Sequence, residues 1–383
     1  MKQVLEPLIR YTHIVLIAAG MVVSLSTPEA TAQSPRFEMR GAWIATVRGL
    51  DWPVAGSSSA AQQASLESIM DGLAANGVNA VFFQVRTEAD AMYASDDEPW
   101  SAHLTGVQGR APDPFYDPIA QPDRLAHERG MEQHACVNPF RAISNAGSYE
   151  IDEQHITVRE PDWILDFGSL QMLDPGIPEV RSYVVDVVTD IVARYDVDGI
   201  HFDDYFYPYN PQVGTHDLET WQTYGGEFSN IADWRRDNIN RFVESVHDAV
   251  IGADATVKFG ISPFGIWQSG NPEGVTGLSA YDVIYADAVH WLGFETIDYL
   301  APQLYWPFGG GQDFGLLADW WASVSNGRHI YPGLAAYKVD AVTAGGTQYA
   351  ADELPRQIRY SRDAAGVQGN LLFRAQNLFS SQN

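Results

Sequence analysis

The segment Asp198-Gly-Ile-His-Phe-Asp-Asp-Tyr-Phe-Tyr-Pro208 sets two carboxyls side by side at the exit of a short apolar run. Side chains alternate along a strand, so one of the pair is expected to face the mouth of the structure that strand builds. His201 and Asp203 share a parity, which makes Asp203 the expected inward carboxyl. Asp204 would then orient a neighbour or tie down the loop. A second run leaves as Phe83-Gln-Val-Arg-Thr-Glu-Ala-Asp90, where Gln84, Arg86, Glu88 and Asp90 share one face if the chain stays extended. Polar residues emerging there are a functional signal, with a structural ion pair between Arg86 and Glu88 as the alternative. A third ends His134-Ala-Cys-Val-Asn138-Pro-Phe-Arg141. Asn138 and Arg141 stand where they could bind hydroxyls or an anion. His134 lies within the strand, as a core histidine or a ligand. Two further runs end in Ser262-Pro-Phe-Gly-Ile-Trp267 and Gln303-Leu-Tyr-Trp306.

Two carboxyls flanking a glycosidic bond can hydrolyse it. One protonates the leaving oxygen, and the other acts as nucleophile, base or stabiliser of an oxocarbenium-like state. Asp203 fits the second role. The proton donor is sought first at Glu88, then at Asp287, then at Asp204. Trp43, Trp52, Trp100, Trp267 and Trp306 all fall at or after strand ends, and their faces suit the apolar C–H surface of sugar rings. The residues expected to hold substrate are Arg86, Asn138, Arg141, His201, Tyr205, Trp267, Gln303, Tyr305 and Trp306.

Other chemistries fit less well. A metal-dependent deacetylase needs a histidine set around its metal. The ten histidines contain no His-x-x-x-His pair. Ser262 lies in Gly260-Ile-Ser-Pro-Phe-Gly265, which lacks nucleophile-elbow spacing. Asp96-Asp97-Glu98 reads as solvated loop charge, with a structural calcium as the alternative. No catalytic metal and no cofactor are expected. Cys136 is the only cysteine, so no intramolecular disulfide can form, and its apolar run marks it as a buried thiol. The competing reading is a non-catalytic glycan-binding barrel that kept the aromatic face.

These residues need a scaffold that brings strand ends together. Strand-like runs are expected at 39–47, 79–86, 131–138, 199–203, 257–262, 298–305, 329–335 and 369–373. Helical spacing occupies 61–76, 118–129, 178–195, 234–251, 313–324 and 353–365. Apolar strands alternating with helices pair in parallel with both faces covered. Eight such units predict an α/β fold, a (β/α)8 TIM-type barrel, with a doubly wound open sheet as runner-up. The long connections 88–117, 141–176, 205–233 and 264–297 each follow a strand, which puts them on the C-terminal face. Few residues follow Phe373, so an eighth helix looks weak. Either closure is poor there or the N-terminal segment covers the gap.

Of 383 residues, 45% are hydrophobic and 19% charged, a globular balance. Acids number 49 against 23 bases, a net charge of −26 that disfavours a nucleic-acid partner. Lys2 and Arg10, an apolar stretch over 14–25 and Ala30-Thr-Ala32 read as a secretory signal. Residues 1–32 are therefore expected to be removed, leaving 33–383 as a single domain. The mature protein is expected to be secreted, periplasmic or associated with the cell envelope, without stable membrane insertion. Its oligomeric state is open.

The chain resembles the glycoside-hydrolase-like family 10 of bacterial envelope proteins. The likeness is carried by Met39-Arg-Gly-Ala-Trp-Ile-Ala-Thr-Val47, Leu50-Asp-Trp-Pro53, Phe82-Phe-Gln-Val-Arg86, Glu88-Ala-Asp90 and Glu98-Pro-Trp-Ser101. It continues in Leu104-Thr-Gly106, Asn138-Pro-Phe-Arg141, Leu173-Asp-Pro-Gly176, His201-Phe-Asp-Asp-Tyr-Phe-Tyr-Pro208, Phe259-Gly-Ile-Ser-Pro-Phe-Gly265 and Ala301-Pro-Gln-Leu-Tyr-Trp306. The resemblance implies a (β/α)8 barrel that hydrolyses a polysaccharide of the bacterial envelope, peptidoglycan strands above all. It also implies that Asp203 and Asp204 lie at the active centre. Cys136-Val137 replaces an expected Trp-containing step, which alters one wall of the cleft.

Overall fold

The computed structural model describes residues 37–379, apart from 340, 344 and 345. The expected signal segment lies outside the described residues. Eight strand positions form the barrel: β1 Met39–Ile44, β2 Ala80–Arg86, β3 Glu132–Val137, β4 Gly199–Phe202, β5 Lys258–Ile261, β6 Tyr299–Leu300, β7 in two pieces, His329–Ile330 and Gly333–Ala335, and β8 Gly369–Phe373. Every pairing in this sheet is parallel.

The barrel closes at β7. Its first piece pairs with β6 and its second with β8, which pairs in turn with β1. Pro332 separates the two pieces. Its carbonyl still accepts from Leu371 N–H at 3.1 Å, and Gly333 N–H reaches Pro302 O at 2.8 Å. The eighth helix is absent among the described residues. A 3-10 turn, Ala375–Leu378, follows β8 instead, and Phe379 lies against the glycine face of the first helix at Gly72. The chain's C-terminal turn covers the gap expected there.

The helices start and stop where local chemistry dictates. α1 Ser59–Ala75 is capped by the Ser58 hydroxyl and is followed by Gly77 at φ +77°, a conformation glycine adopts freely. α2 Ala120–His127 follows β2. α3 Pro178–Arg194 begins on the proline, whose missing N–H costs nothing at a helix start. α4 Ile231–Ala253 is capped by Asn230, α5 Ala288–Gly293 by Asp287 and α6 Phe314–Ser323 by Asp313. α7 Glu353–Asp363 precedes β8.

Strand alternation divides the core in two. On β2, Val81, Phe83 and Val85 face the helices, while Ala80 and Phe82 enter the barrel with Trp43, Cys136, Tyr299, Tyr331 and Leu371. The interior also holds His134 and His201, both fully buried. Room for them comes from glycine. A Cβ at Gly199 would strike the His134 ring, and one at Gly260 would strike the Tyr299 ring.

Candidate active site

β4 stops pairing at Phe202, whose carbonyl accepts from Ser262 N–H at 2.8 Å. The chain then turns, with Phe206 N–H bonded to Asp204 O at 3.0 Å. Alternation ends with the strand. Both Asp203 and Asp204 therefore line the cleft, where strand parity alone admits only Asp203. The cleft encloses about 390 Å³ at the C-terminal end of the barrel. Its floor and walls include Trp43, Phe82, Cys136, Phe264 and Phe373, with Gln84, Arg141, Tyr205, Ser262, Gln303 and Tyr305 as polar members.

Asp203 is half-buried and its Oδ1 accepts from Tyr205 N–H at 3.3 Å. Asp204 is buried. Burial pushes the Asp203 carboxyl well above its ordinary range, and the adjacent Asp204 charge pushes it further. Burial also raises Asp204, against its own N–H, the Gln303 side chain and Arg141. Like charges this close resist double ionisation, so the pair retains a proton where isolated aspartates would have lost theirs. Gln303 is fixed by a bond from its Nε2 to Ser262 O at 3.0 Å. Arg141 bonds Thr87 O at 3.2 Å and lies 4.4 Å from the centre of the Tyr205 ring. Tyr209 donates to the Tyr205 hydroxyl at 3.3 Å.

A second pocket of about 460 Å³ continues from the first. The two share Val47, Leu50, Arg141, Tyr205 and Tyr209. Arg48 lines the second and donates to the Ser144 hydroxyl at 3.2 Å. Neither Arg48 nor Arg141 forms an ion pair among the described residues.

Glu88 lies elsewhere. Its register is broken by a shift between Gln84 and Arg86 and by Ala89 at φ +50°. It is buried and accepts from Ser144 N–H at 2.7 Å and from the Tyr149 hydroxyl at 2.6 Å, with His103 Nε2 at 3.2 Å. Burial would raise its carboxyl, but these three partners outweigh it and hold the group at about 2. Glu88 is an anion outside the cleft lining, without a proton to give at neutral pH. Asp287 is no better placed, because its Oδ1 accepts from Trp267 Nε1–H at 3.0 Å and caps α5.

Arg86 also turns inward. It is fully buried, bonded through Nε and Nη2 to Glu98 at 2.6–2.9 Å and through Nη1 to Asn138 O at 2.5 Å. Its ion-pair partner is Glu98, not Glu88, which also removes Glu98 from the acidic loop triplet. Asn138 is buried outside the cleft lining. His201 sits beneath the floor, kept neutral by burial and by nearby His134. Among the five tryptophans singled out, Trp43 alone lines this cleft. Trp52 is buried in the core, Trp100 meets Phe115, Trp267 stacks on Trp320, and Trp306 crowds Gly265.

The residues brought together are thus Asp203, Asp204, Arg141, Tyr205, Gln303 and Tyr305. Sequence spacing missed Ser262, Phe264, Tyr209 and Phe373 as cleft residues. Ser262 and Phe264 lie at the end of β5 and carry the same strand-end signal as Gln303 and Tyr305. Gln84 was visible by parity. Its Oε1 accepts from Thr46 N–H at 3.0 Å and Val47 N–H at 2.9 Å, fixing the loop after β1.

The chain is similar to known proteins. Glycosyl hydrolase YngK of Bacillus subtilis (strain 168) is 39% identical over 390 aligned positions, 99% of this chain and 75% of that protein. Glycosyl hydrolase DigH of Escherichia coli (strain K12) is 38% identical over 389, 93% of this chain and 87% of that one. Among solved structures, the glycoside hydrolase domain of PgaB (BpsB) from Bordetella bronchiseptica shares the fold, with a TM-score of 0.59 at 13% identity over 87% of this chain and 93% of that one. The sequence matches the family described as Glycosyl hydrolase-like 10 over residues 38–351, and on this match and these relatives the chain belongs to that family.

Proposed function

We propose that this chain is an exported glycoside hydrolase of the bacterial envelope that cleaves peptidoglycan glycan strands, with Asp203 and Asp204 as its working carboxyls. One observation carries the reading. Two adjacent carboxyls with raised affinity for protons line a cleft at the C-terminal end of the barrel, over an indole floor. Such a pair offers a general acid and a carboxylate in one place. The Trp43 surface and the Tyr205, Tyr209 and Tyr305 rings suit sugar faces, while Gln303 and Arg141 suit hydroxyl and carbonyl oxygens.

The second pocket adjoins the cleft and adds about 460 Å³ to its 390 Å³, a volume that suits more than one sugar. Arg48 and Arg141 line it without ion-pair partners among the described residues, in a chain of net charge −26. Arginines so placed favour a glycan bearing carboxylates, as the lactyl ethers of peptidoglycan strands do once the stem peptides are removed. Export is supported by the signal-like pattern over residues 1–32.

The test is release of sugar from purified peptidoglycan strands, with and without stem peptides, by wild type and by Asp203→Asn. Release by the wild type, lost in the variant while strand binding remains, is the expected result. Retained strand binding with no release by the wild type would overturn the hydrolytic reading for this glycan.

A further inference from the structure

Among the described residues lining the cleft and the adjoining pocket, Asp203 and Asp204 are the only carboxyls. Both leave the end of β4. The barrel order places β8 and β1 across from β4. From there the cleft is lined by the side chains of Phe373 and Trp43, neither of which carries an acid–base group. Other acids near the mouth are occupied. Glu88 is held by three donors, Asp287 caps a helix, and Asp51 accepts from Ala45 N–H and pairs with Arg374.

Hydrolysis by two protein carboxyls sets them on opposite sides of the sugar, about 5–5.5 Å apart for a protein nucleophile or about 6.5–9.5 Å for a water-activating base. Consecutive residues on one wall do not straddle a ring in that way. Among the described residues, the wall opposite supplies no second carboxyl. The described residues thus leave the substrate itself as the source of the nucleophile.

We propose that the cleft acts on 2-acetamido sugars by substrate assistance: the acetamido oxygen attacks C1, Asp203 protonates the leaving oxygen, and Asp204 receives the acetamide N–H. This rests on the assignment of Asp203 and Asp204 as the working pair, and it adds the source of the nucleophile. Asp203 takes the acid role because it is the more open of the two to the cleft. Asp204 is buried and oriented by Gln303, as a positioning base requires. The apolar floor of Trp43, Phe82 and Cys136 receives the acetamide methyl group.

The step balances without any further reactant. A lone pair of the carbonyl oxygen forms the bond to C1. The C1–O bond to the leaving group breaks, and its electrons stay on that oxygen, which takes the Asp203 proton. Asp204 accepts the nitrogen proton, leaving a neutral oxazoline. Water then attacks C1 and gives a proton to the Asp203 carboxylate. The C1–oxazoline bond breaks, and nitrogen recovers its proton from Asp204. Two displacements at C1 return the original anomeric configuration.

Glycan strands are de-N-acetylated and then re-acylated with acetyl, fluoroacetyl or difluoroacetyl groups. Fluorine weakens the carbonyl oxygen as a nucleophile, so kcat is expected to fall at each step with KM little changed, and release from the free-amine strands is expected to be lost. Product anomers read by proton NMR should show retention. Equal kcat across the acyl series, or inversion, would overturn the proposal. An independent arm needs no turnover. The thiazoline analogue of N-acetylglucosamine should bind at least about 100-fold tighter than N-acetylglucosamine, as a mimic of the cyclised state does. Equal binding of the two would also overturn the proposal. If peptidoglycan strands are not cleaved but the thiazoline preference holds, the envelope substrate fails while substrate assistance is supported.

Discussion

Trp43 Nε1–H donates to His201 Nε2 at 3.2 Å, which ties the cleft floor on β1 to the interior of β4. The bond fixes more than one ring. With Nε2 accepting, His201 carries its proton on Nδ1 and gives it to the Tyr299 hydroxyl at 3.0 Å. Tyr299 then donates to His134 Nδ1 at 2.9 Å, and His134 Nε2–H meets Glu132 at 3.1 Å. The chain of bonds runs from the far end of the barrel, where Lys258 also meets Glu132 at 3.2 Å, to the indole in the floor of the cleft. Buried networks of this kind are rigid when every member is satisfied.

Tyr299→Phe removes the hydroxyl that both histidines share. Two buried ring nitrogens lose their partner, and each orphan costs about 1–3 kcal/mol. Urea unfolding is expected to show a loss of roughly 2–6 kcal/mol against wild type. Nitrogen-15 NMR should find His201 as the Nδ1–H tautomer in wild type and a mixed tautomer in the variant. A wild-type spectrum dominated by Nε2–H would contradict the direction of the chain.

Asp203 and Asp204 lead to opposite effects on activity and stability. Their carboxyls are raised in the folded state, so folding binds protons. Their contribution to stability is full below the ordinary aspartate value near 3.8 and is lost as pH rises through the folded value, about 6 for Asp204. Asp204→Asn removes that loss. Thermal melts should show the variant gaining stability over wild type at pH 8 and little or none at pH 4. Strand hydrolysis should fall by at least about 100-fold, the scale of lost acid–base catalysis. A variant no more stable than wild type at pH 8 would show that the pair is not strained by its own charge.

Much of the barrel was legible because strand and helix periods differ so clearly. β8 falls at the expected residues, and α3 and β2 differ from expectation by a single residue at one end. β6 was the poorest, since only Tyr299–Leu300 pair continuously, with an isolated bridge further on at Gln303. Pro302 lacks the N–H that would continue the ladder. The site was legible where a strand end names the neighbourhood, as for Asp203, Tyr205, Gln303 and Tyr305. It was not legible where parity fails. A register shift before Arg86 and a left-handed Ala89 send Arg86 and Glu88 away from the mouth, and no periodicity in the sequence marks either event. Tryptophans were equally ambiguous. The same ring that could stack on a sugar fills the core at Trp52.

Arg86 and Glu98 form a buried pair, both with fully covered side chains, and Tyr183 adds a bond to Glu98 at 2.8 Å. Removing one partner strands the other charge in the interior. Glu98→Gln and Arg86→Met should each lose about 3–5 kcal/mol by urea unfolding. The double variant Arg86→Met/Glu98→Met should lose less than the sum, because neither charge is left unpaired. Strict additivity would mean that the pair is not coupled.

Glu88 gives the clearest separation of support from chemistry. Its carboxyl is held at about 2 against an ordinary 4.5, because the bonds from His103, Ser144 and Tyr149 together exceed the penalty of burial. A folded value below the unfolded one gives stability that is present above pH 4.5 and lost as pH falls toward 2. The displacement corresponds to roughly 3 kcal/mol at neutral pH. Glu88→Gln keeps the shape but replaces one accepting oxygen with a donor, which opposes Ser144 N–H or the Tyr149 hydroxyl. The variant should be less stable than wild type by about 2–3 kcal/mol at pH 7. The gap should shrink as pH falls from 4.5 toward 2, where the wild-type carboxyl is protonated too. At a temperature where both proteins are folded, kcat on glycan strands should stay within a few-fold of wild type. A loss of 100-fold or more in kcat, with the fold intact by circular dichroism, would return Glu88 to the role of proton donor.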